Sequence, residues 1–125
     1  MDIINIKATA STPCINFNAE TGELSISGRS IHENPVIFYQ PLIDWLDHYI
    51  AEPASHTNLH LNLDYSNTSS SKWIFAILKK LKSIRNNGHS AAIIWKYHID
   101  DEDMLQNGQI YSEVLEMPFE FIEQD

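Results

Sequence analysis

Leu59, Leu61 and Leu63 alternate with polar neighbours between Asn58 and Tyr65, and no other segment constrains the fold as much. Alternation of this kind is the period of a strand with one buried face. The run passes into Ser66-Asn67-Thr68-Ser69-Ser70-Ser71, a polar stretch of turn and cap formers. Between Trp73 and Ile84, the residues Ile74, Ile77, Leu78 and Leu81 then recur at helical spacing. Lys79, Lys80, Lys82 and Arg85 suit the negative end of that helix, and Asn86-Asn87-Gly88 ends it, with Gly88 as the left-handed residue. Ala91 to Tyr97 reads as a second strand. A strand–helix–strand unit with a crossover of this length is normally parallel and right-handed.

The flanking segments extend this unit. Cys14 to Phe17 reads as a short strand, Thr21-Gly22 as a turn, and Leu24 and Ile26 alternate with Ser25 and Ser27, so a hairpin is expected. Gly28 then opens a loop from Arg29 to Asn34. Pro35 suits the first turn of a helix, with Asn34 placed to cap it. Phe38, Leu42, Trp45 and Tyr49, beside Tyr39, Ile43, Leu46 and Ile50, give that helix a wide apolar face. Pro41 either kinks it or delays its start. Asp100 is placed to cap a last helix, Asn107-Gly108 to interrupt it and Met117-Pro118 to end it. Phe119, Phe121 and Ile122 suggest a short terminal strand or a docked tail. The expected class is α/β: a single domain over residues 1–125, with a mixed sheet and helices on at least one face.

The chain's 125 residues leave no room for a second domain. With 17 acidic and 8 basic residues the net charge is -9, which argues against binding nucleic acid or an anionic membrane surface. Cys14 is the single cysteine, so no intrachain disulfide forms. Met1 to Lys7 lacks the basic region and apolar run of a signal peptide, and no apolar stretch approaches the ~20 residues that span a bilayer. A cytoplasmic protein without membrane insertion is the default.

Little in the chain suggests catalysis or a cofactor. His56 and His60 are four apart but fall at a strand, where that spacing gives no zinc geometry; His32, His48, His89 and His98 are scattered. Asp100-Asp101-Glu102-Asp103 lacks the alternation and central glycine of a calcium loop. There is no nucleophile elbow and no phosphate-cradling glycine loop. Trp45, Trp73 and Trp95 lie in periodic segments, as core residues do. No catalytic residue, metal ligand or cofactor is therefore assigned.

The informative segment is Asp64 to Lys72. Thr68 falls at or just before a helix N-terminus, where unpaired N–H groups and the helix dipole favour negative charge. A phosphate there would gather backbone N–H groups, with Lys72 about one turn on. The same residues also suit a plain helix cap.

Thr21-Gly22-Glu23-Leu24 with Gly28-Arg29-Ser30-Ile31, Glu33-Asn34, Phe38-Tyr39-Gln40-Pro41-Leu42 with Trp45-Leu46, Tyr65 to Lys72, and Asp100 to Met104 together carry a resemblance. The chain resembles the SiaC-type biofilm-regulation phosphoproteins, which have a STAS-like fold akin to anti-sigma-factor antagonists. The resemblance implies phosphorylation of Thr68 by a SiaB-like serine/threonine kinase and its reversal by a SiaA-like PP2C-type phosphatase. It implies that the unphosphorylated form binds and activates a SiaD-like diguanylate cyclase, raising cyclic di-GMP and promoting biofilm. Arg29, Asn67, Ser69, Ser70 and Lys72 are candidate partner contacts by their closeness to Thr68 or to the neighbouring motif. A partner-switching antagonist of a kinase or anti-sigma factor, and a small enzyme or metal protein, are the competing readings.

Overall fold

The computed structural model describes residues 3–125. The chain runs β1 (Ile4–Ile6), β2 (Cys14–Asn18), β3 (Glu23–Ser30), α1 (Pro35–Tyr49), β4 (His56–Ser66), α2 (Thr68–Asn86), β5 (Ser90–His98), α3 (Glu102–Leu115) and β6 (Glu120–Gln124). The strands form one sheet in sequence order. The β1–β2 and β2–β3 pairs are antiparallel, and β3–β4, β4–β5 and β5–β6 are parallel. Each helical crossover therefore steps to the next strand in the same direction. Crossovers of one hand then place all three helices on one face, which is the expected mixed α/β sheet in two layers.

The leucine alternation sets which side is which. Leu59, Leu61 and Leu63 are buried with Ile15, Phe17, Leu24, Ile26, Ile93 and Trp95 beneath the helices. Their neighbours Asn58, His60 and Asn62 line the uncovered face. There His56, Asn58, His60 and Ser90 form a hydrogen-bonded row with Glu23. The Asn58 amide holds the Glu23 carboxyl below the usual range, against a smaller opposing effect of burial, and His60 adds to the lowering.

Several local expectations change. β1 had no counterpart in the sequence reading. β3 does not stop at Gly28. A bulge between Gly28 and Arg29, with Gly28 at φ 112°, carries the pairing on to Ser30↔Ser66, so the expected loop shortens. α1 begins at Pro35 and runs through Pro41, while Asn34 makes no side-chain cap bond. Pro41 is exposed, so the carbonyl it strands can face water. α3 is capped by Asp101 rather than Asp100, through Asp101 Oδ1 to the Met104 N–H at 3.0 Å. Asn107-Gly108 does not interrupt it. Phe119 is buried and Glu120–Gln124 form the parallel edge strand β6, which decides between strand and docked tail.

Candidate functional site

The carboxyl ends of the parallel strands and the N-termini of α1, α2 and α3 share one edge of the sheet, as right-handed crossovers require. β4 ends at Ser66 and α2 starts at Thr68, with Asn67 as the cap between them. Asn67 Oδ1 accepts the Ser70 N–H at 2.9 Å, and the Asn67 N–H donates to Ser30 O at 3.0 Å. Ser71 Oγ donates to Asn67 O at 3.0 Å and lies 3.4 Å from Ser66 Oγ. Asn67 therefore ties the helix start to the end of β3.

This assigns the cap to Asn67 and leaves Thr68 out of it. Thr68 is exposed at the first helical position, and its hydroxyl makes no hydrogen bond to any described residue. A hydroxyl so placed is accessible to a phosphoryl donor held by another enzyme. The helix dipole and the nearby Lys72 would favour the charge that results.

Asn67→Ala is expected to cost about 1 kcal/mol, the usual loss for such a cap, whereas Thr68→Ala stays within ~0.5 kcal/mol of the parent. Urea denaturation of both variants checks this. Equal losses would mean that the two residues share the cap.

The other candidate contacts divide. Arg29, Ser69 and Lys72 are exposed, and Arg29 lies in register with Tyr65. Ser70 departs from the expectation: it is fully buried and its Oγ has no hydrogen-bond partner among the described residues, so its side chain does not reach a binding surface. Helical phase explains this. Ser70, Ile74, Ile77 and Leu81 share the inward face of α2.

Under the helix start, Ser30 Oγ and Tyr39 OH form a buried hydrogen bond, and the Tyr39 ring stacks on Trp73 at 6.2 Å and 11°. Sequence reasoning placed Tyr39 and Trp73 in the core but had no signal for the Ser30 partnership. Burial pushes the Tyr39 phenol up to about 12 from 10.0, against a smaller lowering by Ser30. The folded state thus holds this proton more tightly than the unfolded state. The stability this confers is complete below pH 10 and is lost as pH rises toward about 12. On the order of 2–3 kcal/mol is at stake. Tyr39→Phe should be less stable than wild type at neutral pH, and the gap should narrow from pH 10 to pH 12. Urea midpoints across that range test it, and a constant gap would contradict it.

Nearby, the ends of β4, β5 and β6 border a cleft of about 520 Å³ that includes Asp64, His98, Asp100 and Asp101. No group of three or more metal-ligating side chains with suitable geometry occurs among the described residues. Nor is any helix among them long and apolar enough to cross a membrane.

A family model described as SiaC family regulatory phosphoprotein matches residues 6–124. An uncharacterised protein of Pseudomonas aeruginosa strain UCBPP-PA14 is 31% identical over 119 residues, 95% of this chain and 94% of the relative. The crystal structure of apo-SiaC from P. aeruginosa is similar at TM-score 0.85 and 30% identity, covering 100% of both chains. A chain in the crystal structure of the P. aeruginosa diguanylate cyclase SiaD in complex with its activator SiaC is similar at TM-score 0.90 and 30% identity. That match covers 97% of this chain and 99% of the other.

Proposed function

Because the chain belongs to the SiaC family of regulatory phosphoproteins, we propose that it is a cytoplasmic switch that binds and activates a diguanylate cyclase while Thr68 is unphosphorylated. A serine/threonine kinase adds the phosphate and a PP2C-type phosphatase removes it. The result is control of cyclic di-GMP and of aggregation. The observation that carries the proposal is the Thr68 hydroxyl: exposed, unbonded among the described residues, and set on a helix N-terminus whose capping Asn67 performs. The cyclase partner is argued from the relative, whose structure is of an activator bound to SiaD.

Intact mass and phosphosite mapping of the protein from its native host, with Thr68→Ala alongside, test the modification. One phosphate on the wild type and none on the variant is the expected result. An unmodified Thr68 under both planktonic and aggregating conditions would reduce it to a surface residue beside a cap.

A further inference from the structure

α1 and α2 pack side by side over the sheet, and their outward faces leave a groove of about 470 Å³ between them. Ile43, Ile50, Trp73 and Ala76 line it, with Lys79 and Lys80 at its border. Ser69, Trp73, Ala76, Lys80 and Ser83 recur along α2 at steps of four and three, so they form one stripe on the side of the helix turned toward α1. Ile43 of α1 and Ile50, the residue at its C-cap seven positions on, are only half-buried and face the same groove. From Trp73 to Ser83 the groove extends about 15 Å, close to three helical turns.

The charge on α2 is unlike that of the rest of the chain. Lys72, Lys79, Lys80, Lys82 and Arg85 all lie on α2, which contains no acidic residue, in a chain of net charge -9. Lys80 is paired with Asp47 of α1. Lys79 lies 5.3 Å from the Phe75 ring centroid, and neither Lys79 nor Lys72 has a carboxylate partner among the described residues.

We infer that this groove seats one amphipathic helix of a partner protein, apolar where it meets Trp73 and Ala76 and acidic along the flank lying over α2. Apolar anchors at i, i+3 or i+4 and i+7 match a groove of this length. The free lysines fix the sign of the flank, and Asp44 and Asp47 on α1 disfavour acidic residues on the opposite side. Resting on the switch proposed above, the groove also explains why a phosphate would release the partner. Ser69 stands at the head of this stripe, and Thr68, one residue before it, heads the adjacent row of Lys72 and Lys79, about 8 Å along the axis from Trp73. A phosphate there faces the acidic flank within a Debye length.

The probe is a stapled helical peptide with leucines at i, i+3 and i+7 and flanking glutamates, compared with a twin carrying lysines instead. Titrated into the full chain, the acidic peptide should shift the amides of Ile43, Ile50 and the segment 73–83. It should bind at least ten-fold tighter than its twin, with the advantage shrinking between 50 and 500 mM salt. Ala76→Arg and the exposed charge reversal Lys79→Glu should each weaken it ten-fold or more, while Lys96→Glu on the uncovered sheet face changes nothing. Equal affinity of the twins, or shifts centred on Ile110 and Val114 of α3, would overturn the inference. A cyclase assay separates it from the broader proposal. Full activation of the P. aeruginosa cyclase by Lys79→Glu would sink the groove and leave the switch standing. No activation by the wild type, with the peptide mapped to the groove, would sink the cyclase assignment and leave the groove.

Discussion

Gly108→Ala should destabilise the protein by about 2–4 kcal/mol, although alanine is the better helix former by about 1 kcal/mol. Gly108 sits in the middle of α3 directly over the Trp95 indole. A Cβ at this position would lie 2.6 Å from Trp95 Nε1 and 2.7 Å from Cδ1 and Cε2. The indole cannot move aside cheaply. It is 2% exposed, donates to Met104 O at 3.0 Å, stacks on Phe119 and meets Tyr111 edge-on. Either α3 lifts from β5 or the Trp95 bond breaks, and each is an overpacking cost of this size. For a domain of this length the loss corresponds to roughly 8–16 °C in Tm. The control is Asn107→Ala on the exposed neighbour, which should be neutral or slightly stabilising. A Gly108→Ala protein as stable as that control would show that α3 does not press on Trp95 as described.

The same glycine shows where the sequence could and could not be read. Asn107-Gly108 is a strong turn signal taken locally, and it suggested a broken helix. The helix continues through it, and the glycine answers instead to a packing contact with Trp95 of β5, which no turn signal encodes. The elements with a strong period were legible: the Leu59–Leu63 alternation, the α2 stripe and the β2–β3 hairpin all stand as expected. The errors fell where a period was absent or long-range pairing decided the outcome. β1 is three residues long, too short to display alternation. The end of β3 is held in the sheet by its pairing with β4 across a bulge, so Gly28 bends a strand instead of ending it. At the candidate site, the position of Thr68 at a helix start followed from local pattern, but its separation from the capping role did not. Any of Ser66, Asn67, Thr68 or Ser69 has cap chemistry, and only the folded backbone selects Asn67. The inward turn of Ser70 was available from helical phase, since Ser70 lies four residues before Ile74.

Phosphorylated protein, and to a lesser degree Thr68→Glu, should lose cyclase activation by about 30-fold or more, whereas Thr68→Ala retains it. The asymmetry follows from the local structure. The Thr68 side chain makes no hydrogen bond to a described residue and the cap belongs to Asn67, so removing the hydroxyl leaves helix and surface intact. Adding a phosphate introduces up to about two negative charges at the head of the exposed face of α2. A partner docked there must bury that charge unpaired or face it with its own carboxylates. An interfacial charge left without a partner typically costs 2–5 kcal/mol, or about 30-fold to several thousand-fold in affinity. Inside the free protein the same charge is tolerated, because the helix dipole and Lys72 offset it, so Tm should change by no more than a few degrees. Binding and stability are thus predicted to part company: a large loss of affinity with an almost unchanged melting curve. Calorimetric titration against the cyclase and thermal melts on the same three samples measure both. A phosphorylated protein that still activates fully would remove Thr68 from control of the partner. One that fails to bind but also melts tens of degrees lower would mean that the phosphate acts by unfolding the helix start, not by repelling what sits on it.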